Sequence, residues 1–153
     1  MKRLKKVLKW GAIGVVLILG FAQLVRPSKT NPKTNESQHL FAQTAMNSQV
    51  AAILDRSCRD CHSNQTRWPW YSHVAPVSWF VIDHVNHGRS HLNLSEWGRY
   101  NKEEARNQLR NMCREARAGA MPLQSYLLMH RTAKLSDEDI RTLCEWTTAE
   151  RER

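Results

Sequence analysis

Cys58-Arg59-Asp60-Cys61-His62 is the most informative segment of this chain. Two thiols separated by two residues, with a histidine directly after the second, are the pattern of a c-type haem attachment site. In such a site each cysteine sulfur forms a thioether to a porphyrin vinyl group, and the adjoining imidazole binds the iron. The spacing therefore predicts one covalent haem c, held by Cys58 and Cys61 and ligated on its proximal side by His62.

A Cys-x-x-Cys pair also occurs in structural zinc sites and in thioredoxin-like redox centres. A structural zinc site takes four ligands, usually from two such pairs, whereas Cys113 and Cys144 are isolated from each other. A thioredoxin-like pair follows a strand in a βαβ unit, but the apolar residues of 46–57 recur at helical spacing. Haem is therefore favoured, and a non-haem metal-binding or interaction module is the weaker alternative.

The net charge of +9 comes almost entirely from the N-terminal segment. Residues 1–35 hold eight Lys or Arg and no acidic residue, whereas the rest of the chain holds fifteen Lys or Arg and fourteen Asp or Glu. A nucleic-acid-binding domain would need a basic stripe on its folded surface. The distribution therefore argues against a nucleic-acid partner and indicates a segment directed to a membrane.

Residues 1–26 have the order of an export signal, a basic flank followed by an apolar run from Trp10 to Val25. Because no A-x-A-like cleavage site lies between Gly20 and Pro27, an uncleaved signal anchor with a transmembrane helix is expected. A cleaved signal peptide and a buried core helix are the alternatives. The expected location is the bacterial inner membrane, crossed once, with the C-terminal domain in the periplasm, the side on which c-type haem is attached.

The rest of the chain is predicted to be a flexible linker over 27–38 and an all-α, cytochrome-c-like haem domain over 39–150. The linker is rich in Pro, Lys, Asn, Thr and Ser. Apolar spacing and capping residues predict four helices, over 46–57, from Pro76 to about Asn86 before Gly88, after the N-cap Asn101, and after the N-cap Ser136. His91–Trp97 is expected to be an extended or turning connection.

Aromatic residues and histidines near the motif are further site candidates. Trp68, Trp70 and Tyr71 are predicted to wall the haem pocket, a role compatible with ordinary packing. His87 and His91 are four residues apart, as in metal-binding pairs on helices, but Gly88 interrupts the expected helix. Solvated histidines are the simpler interpretation there.

Met121 is the predicted distal ligand of the iron. A thioether is a soft ligand that raises the potential of haem iron, and Gly119 and Pro122 would hold the Met121 loop rigidly. A core methionine is the alternative role for Met121, and His130, His73 or an open position are the alternative distal arrangements.

Cys113 and Cys144 both fall on or beside apolar helix faces. In an oxidising compartment they could form a disulfide, and two buried free thiols are equally compatible with the sequence.

Several short blocks follow one another along the chain, namely Cys58–His62, Trp68–Ser72, Ala75–Trp79, His91–Trp97 and Met121–Leu123, then Tyr126, His130 and Leu135–Ser136. In this order the sequence resembles the bacterial haem-binding domain family of small, membrane-anchored cytochrome-c-like proteins. The resemblance covers roughly His39 to Trp146. It implies a helical domain with one covalent haem on Cys58 and Cys61, His62 as proximal ligand and Met121 in the position of the distal methionine.

The expected function is single-electron transfer between redox partner proteins, which needs no catalytic residue and so indicates a carrier rather than an enzyme. A haem-based gas or redox sensor, or a weak peroxidase, is the alternative if the distal site is open or displaceable.

Overall fold

The computed structural model describes residues 2–153, and all regular secondary structure among them is helical. The α-helices are α1 (Lys2–Ala22), α2 (Leu40–Gln43), α3 (Ser48–Ser57), α4 (Arg59–His62), α5 (Val77–His91), α6 (Lys102–Arg117), α7 (Gln124–Leu127) and α8 (Asp137–Arg151). Short 3-10 turns lie at Glu36–Gln38, Trp70–His73, Leu94–Arg99 and Arg131–Ala133. The predicted all-α class is confirmed.

The chain divides into two compact units. The first unit comprises residues 1–30 and 68–84, and the second comprises 31–67 and 85–153. Helix α5 contributes residues to both units, and the predicted linker at 27–38 is likewise divided between them. The domain boundaries at 27–38 and 39–150 stay a prediction.

The core of the second unit is built from one face of each of its longer helices. Val50 and Leu54 repeat at helical spacing on α3 and are fully buried. They pack in a single apolar cluster with residues of α2, the Leu94–Arg99 turn, α6 and α8, namely Leu40, Leu94, Trp97, Leu109, Met112, Ala116, Leu143 and Trp146. Cys58 and Leu92 pack against this cluster, so the predicted haem-attachment segment begins at the edge of the core.

Helices α6 and α8 begin where their capping residues predict. Asn101 accepts a hydrogen bond from the backbone N–H of Glu104, whose carboxylate accepts one from the backbone N–H of Asn101. Ser136 and Asp139 form the same reciprocal capping box at α8. Each box satisfies backbone donors that a helix start would otherwise leave unpaired.

A disulfide joins α6 to α8 through Cys113 and Cys144. Of the two alternatives open from the sequence, the structure thus selects the disulfide. The bond closes a loop of 31 residues that contains the end of α6, α7 and the start of α8.

No helix within residues 2–153 combines the length and the apolar character needed to cross a membrane. The transmembrane helix predicted at 1–26 is therefore not supported. The reason is that Lys5, Lys6 and Lys9 occupy the first part of α1, which leaves only the thirteen residues from Trp10 to Ala22 apolar. At 1.5 Å per residue these span about 20 Å, whereas a hydrocarbon core is about 30 Å thick.

Candidate functional site

The Cys58–His62 segment forms a single tight turn at the end of α3. The backbone N–H of Cys58 donates to the Leu54 carbonyl at 3.0 Å, and that of His62 donates to the Cys58 carbonyl at 2.9 Å. Both cysteines are free thiols and both are partly buried. One helical turn thus presents two thiols and an imidazole together, as the motif predicts.

The His62 ring is held by the C-terminal end of α5. Its Nδ1 lies 2.9 Å from the Gly88 carbonyl oxygen and 3.2 Å from the Leu92 carbonyl oxygen. A carbonyl oxygen can only accept a hydrogen bond, so Nδ1 carries the proton and donates it. In the neutral ring Nε2 then has a free lone pair, which is the tautomer that an iron ligand needs.

Burial also favours the neutral form of this ring. It lowers the pKa of His62, and the nearby His91 acts in the same direction, while the hydrogen bonds to Leu92 and Gly88 partly oppose the shift. An imidazole with a lowered pKa is unprotonated at neutral pH and is therefore able to ligate a metal.

Cys58 and Cys61 are both in the thiol form at neutral pH in the folded chain. Burial raises the pKa of Cys58 to about 12, with a further contribution from Cys61. Burial and the charge of Asp60 raise the pKa of Cys61 to about 11. A thioredoxin-like centre instead has a thiol of lowered pKa, so the electrostatics of this pair argue against that interpretation.

Gly88 brings α5 into backbone contact with the motif. A Cβ at this position would lie 2.5 Å from the Cys61 carbonyl oxygen, closer than non-bonded atoms approach. The sequence prediction that α5 ends before Gly88 is therefore wrong, because the helix continues to His91. The glycine serves close packing rather than helix termination.

The loop after His62 is fixed by a buried polar network. The Asn93 amide donates to Asn64 Oδ1 at 2.9 Å, and the Asn64 backbone N–H donates to Ser95 Oγ at 3.0 Å. The Arg89 guanidinium donates to the Ser63 carbonyl through Nε and to Thr66 Oγ1 through Nη2, each at 2.8 Å. These bonds attach the loop after His62 to α5 and to the turn that follows α5. The connection predicted at His91–Trp97 is in fact the end of α5 followed by the 3-10 turn Leu94–Arg99.

Asp60, between the two cysteines, links the motif to the region that carries Met121. Tyr126 donates its hydroxyl to Asp60 Oδ2 at 2.9 Å, and the Tyr126 ring stacks on His130 at 4.0 Å. Arg67 donates to Asp60 Oδ1 through both its backbone N–H and its Nε. The Asp60 carboxylate therefore joins three segments of the second unit.

Two buried side-chain nitrogens, one of them on Arg59 of the motif, have no hydrogen-bond partner among the residues described. They are Nε2 of His39 and Nε of Arg59. His39 accepts from the Phe41 backbone N–H through Nδ1, so its Nε2 carries the proton. Both nitrogens are donors, the kind of group that a buried water or a carboxylate satisfies.

Met121 lies on the loop between α6 and α7, and its side chain is 38% exposed. Gly119 has φ +65°, and the backbone N–H groups of Ala120 and Met121 both donate to the Glu115 carbonyl. The end of α6 thus fixes the backbone of Met121, as the glycine predicts. Its role as the distal ligand stays a prediction.

The remaining predicted site residues are distributed over both units. Trp68, Trp70 and Tyr71 lie in the first unit with His73, and Trp70 meets Tyr71 edge to face at 5.8 Å. Their assignment to a haem pocket stays a prediction. Within residues 2–153, no cluster of three or more His, Cys, Asp or Glu could hold a metal ion, so a second metal centre around His87 and His91 gains no support.

The donor set of the motif fits a c-type haem. Two protonated thiols lie on the turn that carries an imidazole of the required tautomer. Gly88 lets α5 approach that turn closely, and its carbonyl oxygen accepts the hydrogen bond from His62. A match to the model of the haem-binding domain family extends over residues 17–149.

The chain belongs to the haem-binding domain family.

The family match includes the motif, its α5 support and Met121, and it makes haem the cofactor that this domain binds. No curated protein and no solved structure matches the chain.

Sequence reasoning missed the residues that support the motif. The sequence predicts a helix end at Gly88, and its pattern indicates no role for Leu92, Arg89 or Asn93. The helical spacing carried one usable signal, since a glycine within an amphipathic helix often marks close backbone approach. A backbone carbonyl as the partner of His62 has no signature in the sequence.

Proposed function

We propose that this protein is a c-type cytochrome that carries single electrons on one covalently bound haem. The observation that carries the proposal is the environment of His62, whose Nδ1 donates to two backbone carbonyls and whose Nε2 is thereby prepared to bind iron. The free thiols of Cys58 and Cys61 lie on the same turn.

The two cysteines supply the covalent attachment. Each thiol would add across one vinyl group, its sulfur bonding one vinyl carbon while the thiol hydrogen passes to the other. The addition needs no oxidant and produces a thioether.

The other residues hold and tune the site. Gly88 and Leu92 orient the His62 ring, Arg89 and Asn93 fix the loop behind it, and Met121 is proposed as the second axial ligand. The bound haem supplies a one-electron couple, and its potential follows the axial ligands and the hydrogen bonds around them. A carrier of this kind needs no catalytic residue.

The proposed location is the outer side of the bacterial inner membrane, where c-type haem is attached. The Cys113–Cys144 disulfide supports it, because disulfides persist in oxidising compartments. Redox partner proteins are proposed as the source and destination of the electron.

The absorption spectrum and redox titration of the full chain, produced with haem-maturation machinery, test the proposal. A low-spin spectrum with the weak far-red ferric band of methionine ligation is expected. Met121→Ala should abolish that band and lower the potential by on the order of 0.1 V, a fraction of the roughly 0.8 V that axial ligands span. Met129→Ala, an exposed methionine in the same unit, is the matched control and should change neither.

A wild-type spectrum that is high-spin and shifts on addition of carbon monoxide would contradict electron transfer through two protein ligands. It would instead support the sensor or peroxidase interpretation.

A further inference from the structure

The first unit exposes an unusually large amount of apolar surface. Helix α1 has no buried residue. Within 68–84, Trp70 is 71% exposed and Phe80 53%, and Val74, Val77 and Trp79 are exposed as well. Soluble surfaces seldom collect so many large apolar side chains, and such collections mark interaction sites.

Hydrogen bonds join the two apolar segments of this unit. The Gln23 amide donates to the Ala75 carbonyl at 2.9 Å and accepts from the Ala75 backbone N–H at 3.0 Å. The Trp79 indole donates to the Val25 carbonyl at 2.7 Å. The exposed residues of 70–80 therefore lie beside the end of α1, where Phe21 and Leu24 are more than 70% exposed.

The outward position of Val77 and Phe80 follows from the helix they occupy. Ser78 and Ile82, four residues apart, are buried and define the packed face of α5. At 100° per residue, Phe80 points almost opposite to that face, and Val77 lies well away from it. Both side chains are exposed and can contact a partner, although the Phe80 ring also packs on His84 of the same helix, with ring centroids 4.0 Å apart.

The excess of basic residues in the first unit indicates an anionic partner. Residues 1–30 and 68–84 together hold seven Lys or Arg and one acidic residue, Asp83. Five of the basic residues lie within the first nine positions. A second copy of the chain would bring like charges together, whereas an anionic lipid surface accepts both basic groups and apolar side chains.

We propose that α1 and residues 70–80 together bind the surface of an anionic lipid bilayer. Apolar side chains would enter the boundary between headgroups and acyl chains, with Trp70 and Trp79 at the depth that indole rings favour. Lys2, Arg3, Lys5, Lys6 and Lys9 would contact lipid phosphates. This mode of binding does not require α1 to cross the bilayer, and it is independent of haem attachment.

Co-sedimentation of the full-length haem protein with vesicles tests the proposal. Vesicles of phosphatidylethanolamine and phosphatidylglycerol should bind the protein. Phosphatidylcholine vesicles should bind it more weakly, by about ten-fold or more. High salt should weaken binding to the anionic vesicles by about the same factor. The double variant Val77→Ser/Phe80→Ser should weaken binding to the anionic vesicles about ten-fold. Val74→Ser is a second variant, at a site that is 45% exposed and has no predicted haem role.

The matched control is Leu128→Ser/Met129→Ser, two exposed apolar residues of the second unit at 77% and 56% exposure. It should bind vesicles like the wild type. All variants should keep the wild-type haem spectrum, so that a failure of membrane binding is distinguishable from a failure of haem binding.

Three results would overturn the proposal. Equal binding of wild type, Val77→Ser/Phe80→Ser and Val74→Ser would show that residues 70–80 do not bind the lipid surface. Equal binding to zwitterionic and anionic vesicles would show that lipid charge does not contribute to binding. If the protein sediments without vesicles and the serine substitutions abolish that sedimentation, the surface binds a second copy of the chain.

Discussion

At the scale of single residues, the site depends on contacts that the motif itself does not contain. Cys58, Cys61 and His62 provide the reactive groups, but the tautomer of His62 is set by carbonyls of Gly88 and Leu92. These residues are distant in sequence and contribute only backbone atoms. Haem was therefore predictable from the motif, whereas the support of the ligand was not.

Gly88→Ala tests the close approach of α5 to the motif. Alanine is a better helix former by about 1 kcal/mol, so an isolated helix would be stabilised. Here the new Cβ would meet the Cys61 carbonyl oxygen, and we expect a net loss of about 2 kcal/mol or more in the free energy of unfolding. The yield of haem-loaded protein should fall as well.

Chemical denaturation monitored by circular dichroism measures this loss. Gly119→Ala is an instructive comparison, because its φ of +65° predicts backbone strain without any steric contact at the motif. Wild-type stability and haem yield in Gly88→Ala would contradict the packing described for α5.

Asn93→Ala tests the buried network behind His62. The substitution removes the donor to Asn64 Oδ1 and the acceptor for the Ser95 backbone N–H, both buried. Leaving such groups unpaired should cost about 2–4 kcal/mol in the free energy of unfolding. Asn86→Ala, an exposed position on α5, is the matched control and should change stability by less than about 0.5 kcal/mol. Equal stabilities of the two variants would show that the network contributes nothing.

At the scale of elements, sequence reasoning succeeded where local chemistry determines structure. The starts of α6 and α8 followed from Asn101 and Ser136, because N-cap side chains act on neighbouring backbone groups. The end of α5 did not follow from Gly88, because a tertiary contact with Cys61 replaced the local preference of glycine. Cys113 and Cys144 pair because α6 packs on α8. Helical periodicity in the sequence does not show which helices pack together, so the pairing could not be predicted.

The start of α8 should make stability depend on pH. Burial acts to raise the pKa of Asp139, but hydrogen bonds from Arg56 and Ser136 outweigh it and hold the pKa below its ordinary value. A carboxyl with a lowered pKa stabilises the fold above its unfolded pKa of about 3.9 and loses that contribution as the pH falls towards the folded value.

Asp139→Asn should therefore reduce the free energy of unfolding by about 1 kcal/mol at pH 6, and the difference from wild type should shrink by pH 3. Denaturant titrations at the two pH values measure it. Asp137→Asn, on the same first turn, is the control for the helix dipole alone. A difference that grows on acidification would contradict the assigned sign.

The Cys113–Cys144 disulfide should stabilise the second unit by restricting the unfolded chain. For a loop of 31 residues, the chain-entropy model gives about 3–4 kcal/mol. Cys113→Ala/Cys144→Ala and wild type treated with a thiol reductant should both show a loss of this size in denaturant titrations. Thioethers resist such reductants, so the haem should stay attached. Unchanged midpoints in both samples would contradict the disulfide.

At the scale of the whole molecule, two kinds of chemistry are separated along the chain. The basic and apolar residues of α1 belong to the first unit, whereas the Cys58–His62 motif, the polar network beside it and the disulfide belong to the second. The charge asymmetry was visible in the sequence. The membrane-crossing helix predicted from the same segment is not supported, because lysines occupy the first part of α1 and shorten its apolar stretch.

The proposed function depends on one haem that Cys58 and Cys61 bind covalently, with His62 as the iron ligand. Intact mass spectrometry of the purified protein after denaturation in acid measures whether that haem is attached. We expect a chain whose mass exceeds that of the polypeptide by one haem, and no such species for Cys58→Ala/Cys61→Ala. A wild-type chain that releases its haem on denaturation, or that carries none, would contradict it.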